Sequence, residues 1–348
     1  LAPKLQGLTA EQLLGMNFPP REFAIDPWLR TGESALIWAA TGVGKTWLTL
    51  SLAVAIAGGG RVWEWKAPKP RKVLIIDGEM NVQDLKERLR TLLDTRAVDG
   101  VDRRALGTNL RMMPRQYQSP RATFYDITDP DSQGHILTLM EKENAEVIII
   151  DNLTTCADGL ADENDAVAFK SIMGFLLMMK QAGKTAIVVH HANKSGNNFR
   201  GSTALEATFE VTLALKQPPV IKEGTASFIT SFGKFRGKSD DTLRPRVWTL
   251  GDSGWTVEDD AEGQEGRILD ALKTLRYVNQ QELAAALGMS QATISRSLRR
   301  SAVLGTAKKD ETDRYFIKAR EMRREDQGRF DDHEGAEADP NDDPNADF

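Results

Sequence analysis

Residues 35–51 read ALIWAATGVGKTWLTLS. A short apolar run ends at Ala39, a glycine-bearing loop follows, and the loop opens a helix whose first turn carries Lys45, Thr46 and Trp47. The order strand, loop, helix matches the phosphate-loop pattern, with Ala39 where glycine is commoner. Gly42 and Gly44 are the positions that let backbone N–H groups close around phosphate oxygens at the helix N-terminus. Lys45 would then reach the β- and γ-phosphates, and the Thr46 hydroxyl would sit on Mg²⁺. Ala40, Thr41, Gly42, Val43, Gly44, Lys45, Thr46 and Trp47 are therefore the nucleotide-binding candidates, with ATP and Mg²⁺ as the implied ligands.

On both sides of this loop, short apolar runs alternate with helical periodicity. KVLIID (72–77), EVIIID (146–151) and TAIVVHH (185–191) read as buried strands, and the segments between them are long enough for crossover helices. The expected fold is α/β with a parallel sheet over residues 31–258. Residues 1–30, with Pro19, Pro20 and Pro27, read as an N-terminal lead. Residues 259–265 are acidic and glycine-containing and read as a linker, and 266–320 as a small helical unit. Residues 321–348 read as an acidic disordered tail without the apolar residues a core needs.

Net charge over the 348 residues is −5. Residues 325–348 hold ten acids against Arg329 as their one Lys or Arg, a charge of −9, so the preceding 324 residues carry +4 and are mildly basic. A single cysteine, Cys156, excludes an internal disulfide and fits a reducing cytoplasm. The longest apolar runs fall far short of the ~18 residues of a membrane span, so the expectation is a soluble cytoplasmic protein without a membrane partner.

Two acids stand where phosphate chemistry needs them. Asp151 closes the strand VIIID and can hold Mg²⁺ through water; its successor is Asn152 rather than a glutamate. In VLIIDGEM (73–80), Glu79 follows Lys45 by about one helix and one return strand. It should therefore emerge beside the phosphate loop at the same sheet edge, where a carboxylate can orient and polarise the attacking water. His190 and His191 end a further strand; with no Cys or other His at ligand spacing they read better as hydrogen-bonding groups than as a zinc site.

Taken together these motifs resemble the RecA-like ATPases, particularly the RepA-type plasmid helicases and, more distantly, the DnaB-type hexameric helicases, over roughly residues 20–250. The resemblance implies Glu79 as the catalytic glutamate and His191 as the γ-phosphate sensor. It also implies two DNA-facing loops. NKSGNNFRGS (193–202) offers Lys194 and Arg200 to single-stranded DNA, whereas CADGLADENDAVAF (156–169) is acidic and would repel a phosphate backbone. The stretch SFGKFRGKSDD (231–241) resembles the Lys-x-Arg element that such helicases project into a neighbour's ATP site, and the resemblance implies Lys234 and Arg236 as catalytic residues in a ring, hexameric in that family's manner; a DNA backbone contact is the other reading of this stretch.

Beyond the linker, GRILDALKTL, QQELAAALG and SQATISRSLRRSAVLG have the lengths and turns of a helix-turn-helix, with Ser290 as N-cap. Ile294, Leu298 and Ala302 mark its inward face; Arg296, Arg299 and Arg300 form a cationic stripe suited to duplex DNA. Residues 306–317, TAKKDETDRYFI, fit a wing, and the whole resembles bacterial winged helix-turn-helix domains. The acidic tail is a solubiliser or a hook for a protein partner. These readings converge on a DNA helicase of plasmid or mobile-element replication. The alternatives are an ATP-controlled DNA-binding regulator and, less favoured, a metabolic kinase.

Overall fold

The computed structural model describes residues 7–159, 166–192, 207–218, 225–237, 241–304 and 307–334. The chain divides into two compact units, Leu1–Asp259 and Asp260–Phe348.

The first unit opens with α1 (Ala10–Gly15), closed by a Thr9–Gln12 capping box. A small antiparallel pair, β1 (Phe23–Ile25) and β2 (Leu29–Arg30), follows. Next come β3 (Ser34–Ala39), the phosphate loop and α2 (Lys45–Gly58). The hairpin β4 (Arg61–Val62) and β5 (Trp65–Lys66) leads to β6 (Val73–Asp77), α3 (Val82–Asp94), α4 (Arg103–Asn109) and β7 (Leu110–Pro114). After α5 (Pro130–Glu143), β8 (Val147–Asp151), α6 (Ala166–Gln181) and β9 (Thr185–His191), the chain forms β10 (Val211–Lys216), β11 (Ala226–Phe235), β12 (Arg246–Gly251) and β13 (Gly254–Asp259).

Nine of these strands make one sheet, in the order β13-β12-β11-β10-β3-β9-β8-β6-β7. The six from β10 to β7 are parallel, as the apolar runs predict, while β11, β12 and β13 extend the sheet antiparallel beyond β10. The sheet is buried on both faces. One face packs on α2, whose residues Leu48–Gly58 are all buried, so that helix needs no polar side. The other carries a second cluster that includes Ile148, Ile150, Phe175 and Met179. Among the described residues no helix is long and apolar enough to cross a membrane.

The N-terminal lead expected over 1–30 is part of the core from Phe23 onward. Ala24, Ile25, Trp28 and Leu29 are buried. Trp28 meets Trp65 edge-on at 5.5 Å and Phe232 at 5.8 Å, and Trp65 in turn meets Trp248 at 4.7 Å. Such aromatic contacts bury large apolar area, and truncating one ring costs about 3–5 kcal/mol. Arg71, almost fully buried, clamps the same segment by bonding Glu22 and Glu146.

The second unit holds α7 (Ala261–Lys273), α8 (Gln280–Leu287), α9 (Gln291–Leu304) and α10 (Lys309–Glu334). Residues 261–265, expected as linker, are the first turn of α7, because the Asp260 carboxylate accepts from Gly263 N and nucleates the helix there. The α8–turn–α9 pair matches the predicted helix-turn-helix, and the Ser290 hydroxyl caps α9 by accepting from Thr293 N. Ile294 is buried and Leu298 half-buried, but Ala302 is exposed; Ser297 and Ser301 complete the inward face instead. The wing expected over 306–317 is helical from Lys309. Thr312, Phe316 and Ala319 recur at helical spacing and turn inward together, a pattern with no period of two. Helix α10 continues to Glu334, so the expected tail is helical in its first part; residues 335–348 lie outside the described residues.

Candidate functional site

The phosphate loop crosses from β3 to α2 with Gly42 at φ 82° and Gly44 at φ 121°, conformations that L side chains rarely adopt. Gly44 has a second constraint: a Cβ there would lie 3.0 Å from the Phe228 ring. Nothing stands within 4 Å of the equivalent point at Gly42, so that side is open to a ligand. Ala39, in the place where glycine is commoner, ends β3 and pairs with His191 and Leu215. An ordinary strand conformation there makes glycine unnecessary.

The loop faces a cavity of about 550 Å³ at the C-terminal edge of the parallel strands, lined by residues that include Thr41, Gly42, Gly44, Lys45, Thr46, Trp47, Glu79, Asp151 and His191. Six of the eight expected phosphate-loop residues thus share one cavity with Glu79, Asp151 and His191; Ala40 and Val43 do not line it, and Val43 is buried in the core. Lys45 Nζ donates to the carbonyls of Ala39 at 3.0 Å and Ala40 at 3.1 Å, curled over the loop.

Asn152 ties Glu79 to His191. Its amide Nδ2 donates to the Glu79 carboxylate and lies 3.2 Å from His191 Nε2. The other ring nitrogen, Nδ1, is 3.4 Å from Thr41 Oγ1 and 3.3 Å from Lys45 Nζ. Asp77 sits beside Asp151 in register, and its carboxylate accepts from Glu79 N at 3.0 Å and Met80 N at 2.7 Å. That turn holds Glu79 at the mouth of the cavity, so Asp77 is the support of the acid rather than a second copy of it.

The buried Asp151 carboxyl is pushed up to about 7, chiefly by desolvation and then by Asp77, with the Thr46 hydroxyl opposing. Its Oδ2 is buried without a hydrogen-bond partner. A divalent cation between this oxygen and the Thr46 hydroxyl would satisfy both. Mg²⁺ fits such a donor set, because it usually takes one or two protein oxygens and fills its shell with phosphate and water. Among the described residues there is no group of three or more His, Cys, Asp and Glu for a metal.

The raised value has a measurable sign. Between the unfolded value near 4 and about 7, the folded chain holds a proton that the unfolded chain has shed, so the ligand-free protein loses stability as pH rises through that window. Asp151→Asn is therefore expected to raise the melting temperature by several degrees at pH 8 and to change it little at pH 5. Equal shifts at both values would contradict a buried charge at Asp151.

Two groups that sequence reasoning missed are Asn152, noted only as a departure from glutamate, and Arg88. Arg88 on α3 lines the cavity with its guanidinium 5.0 Å from the centre of the Trp47 ring. Desolvation lowers its pKa, while Asp84, Asp151 and Asp77 act in the opposite sense. The spacing of Asp84 and Arg88, one helical turn apart on the helix after Glu79, is a signal that could have found it. Cys156 is fully buried nearby, and desolvation pushes its thiol up to about 12.

The other expected site residues lie elsewhere. Lys234 and Arg236 are at the opposite end of β11 from the strand start that lines the cavity through Ala226. Lys194 and Arg200 lie outside the described residues. Arg296, Arg299 and Arg300 are all exposed on α9.

Fold and site together define a RecA-like P-loop ATPase: a large, mostly parallel sheet with a phosphate loop, a buried acid and a histidine at one edge. Residues 2–197 match AAA_25, described as an AAA domain, and the chain belongs to that family. No curated protein matches it. Among solved structures that match, a KaiC-like protein from the hyperthermophilic archaeon Pyrococcus horikoshii OT3 is similar at 16% identity, with 68% of this chain and 94% of that chain covered and a TM-score of 0.48.

Proposed function

We propose that this ATPase is a DNA motor: it assembles head to tail into a six-membered ring, hydrolyses Mg²⁺-bound ATP at subunit interfaces, and acts as a helicase in plasmid or mobile-element DNA replication. The observation that carries the reading is where Arg236 stands. Phe235 pairs with Val211, which pairs with Ala35 at the start of β3, whereas the phosphate loop leaves β3 at Ala39. That separation along β3 is roughly 13 Å at 3.3 Å per residue, and it puts Arg236 and its own phosphate loop at opposite sheet edges. A guanidinium so placed does not reach its own subunit's nucleotide, which leaves a neighbour's nucleotide, the reading taken here, or a DNA backbone for it to serve. A contact that joins one edge to the opposite edge of the next copy is heterologous; such contacts close into a ring when the rotation between copies closes and otherwise run on as a filament, and the proposal takes the ring.

Within one site, Lys45 and the loop amides bind the phosphates, Glu79 orients the attacking water, and Asn152 holds Glu79 and His191 so that His191 reports on the γ-phosphate. Mg²⁺ at Thr46 and Asp151 would neutralise phosphate charge. Lys234 and Arg236 of the adjacent copy complete the transition-state charge balance, for which a planar, permanently charged guanidinium is suited. Lys194 and Arg200 contact single-stranded DNA, and the Arg296, Arg299 and Arg300 stripe contacts duplex DNA.

The test is ATP turnover with and without DNA. A motor should be stimulated by single strands; stimulation by duplex alone, or none, would favour the ATP-controlled DNA-binding regulator. That second reading is supported by the acids in the sequence CADGLADENDAVAF (156–169), which oppose a backbone contact. For the α9 stripe, the Arg296→Ala, Arg299→Ala double variant of the full chain is expected to lower the salt slope of duplex binding by about 1.8, the share of two phosphate contacts. An unchanged slope would leave α9 as a solvated or protein-docking face.

A further inference from the structure

The edge that bears Arg236 holds a second unused cation. A cavity of about 80 Å³ there is lined by residues of β1, β2, β10 and β11 and of the segments beside these strands, including Arg21, Phe23, Arg30, Glu33, Glu210 and Arg236. Its two carboxylates are already committed. Glu33 accepts from Arg21 at 2.8 Å through Oε1 and from Arg30 N at 2.9 Å through Oε2. Glu210 accepts from Lys180 at 2.8 Å through Oε1 and from Ser34 N at 2.9 Å through Oε2. Arg236, with its side chain 61% exposed, touches Glu210 only at 3.9 Å, on the oxygen that Lys180 holds. Among the described residues no carboxylate pairs with the Arg30 guanidinium, which lies 5.2 Å from the centre of the Phe23 ring. Arg30 and Arg236 are therefore the surplus positive charges of this cavity, and the Phe23 ring limits the rotamers open to Arg30.

We propose that Arg30 is a phosphate-binding residue supplied in trans, contacting the non-bridging phosphate oxygens of the same neighbouring nucleotide that Arg236 serves. The inference rests on the ring reading above. A triphosphate presents several non-bridging oxygens, and a forked donor held against a ring is preorganised to bind them. Arg21 and Lys180 are neutralised in place and serve to shape the edge.

The test is subunit mixing with the full chain. Arg30→Ala is expected to slow ATP turnover at least tenfold while retaining ATP binding at its own site. Mixed with Glu79→Gln subunits, which retain Arg30, it should recover part of the activity, because an intact Glu79 then faces a neighbour's intact Arg30. Arg236→Ala mixed with Glu79→Gln is the control. Phe23→Leu, which removes the ring but keeps the charge, should lower turnover severalfold and be rescued in the same mixture; it carries the test if Arg30→Ala does not fold. If the control recovers but Arg30→Ala turns over normally alone, or stays inactive in the mixture, Arg30 has no role in trans and the ring reading stands. If neither mixture recovers although labelled subunits exchange, the ring reading fails and the role of Arg30 fails with it.

Discussion

Arg236→Ala is expected to bind ATP as the native chain does and to hydrolyse it roughly 10³-fold or more slowly, the loss seen when a finger arginine is removed from a phosphoryl-transfer site. Binding should survive because none of the residues lining the chain's own cavity is altered. The loss should be partly reversed by adding Glu79→Gln subunits, since each variant supplies what the other lacks. Single-turnover hydrolysis and nucleotide titration, run in parallel on the two proteins and their mixture, separate binding from chemistry. Weak nucleotide binding by Arg236→Ala would place the arginine in its own subunit's fold rather than in its neighbour's site.

Lys45→Ala and Glu79→Gln are expected to fail at different steps. Lys45 lies over the loop carbonyls at the base of the cavity, so its removal should abolish tight ATP binding and leave too little complex to assay. Glu79 stands half-exposed at the cavity mouth, anchored by Asp77 and Asn152. Its amide should bind ATP normally and hydrolyse it about 10²–10⁴-fold more slowly, the range for a lost general base. Turnover within a factor of a few of the native chain in Glu79→Gln would assign the water to another group.

What the sequence made legible follows from how local each signal is. The strand–loop–helix of residues 34–58 can be read directly because its glycines, lysine and apolar run are contiguous. Glu79, Asp151 and His191 were legible because parallel strands deliver their C-terminal residues to one edge, so knowing where each strand ends is enough. The lead segment was not legible. Trp28 earns its place through Trp65 and Phe232, rings from the β4–β5 hairpin and β11 that no window of the sequence connects to it. The same holds for Arg88, whose position depends on how α3 lies against Trp47. The wing was misread because TAKKDETDRYFI has turn-like charges at its start, whereas Thr312, Phe316 and Ala319 make a helical face only when read past residue 317.

Mixing experiments need proof that subunits move between assemblies, and the buried Cys156 makes that proof simple to obtain. A dye that attacks sulfur needs an exposed thiolate, and at neutral pH this side chain offers neither exposure nor charge. The native chain is thus blank to such reagents without removal of any residue. Glu141, exposed on α5 and lining neither the phosphate-loop cavity nor the one at Arg236, can be replaced by cysteine to give one addressable position. Two preparations in different colours, identical in sequence, then report exchange as energy transfer, with the unsubstituted chain as the dark control.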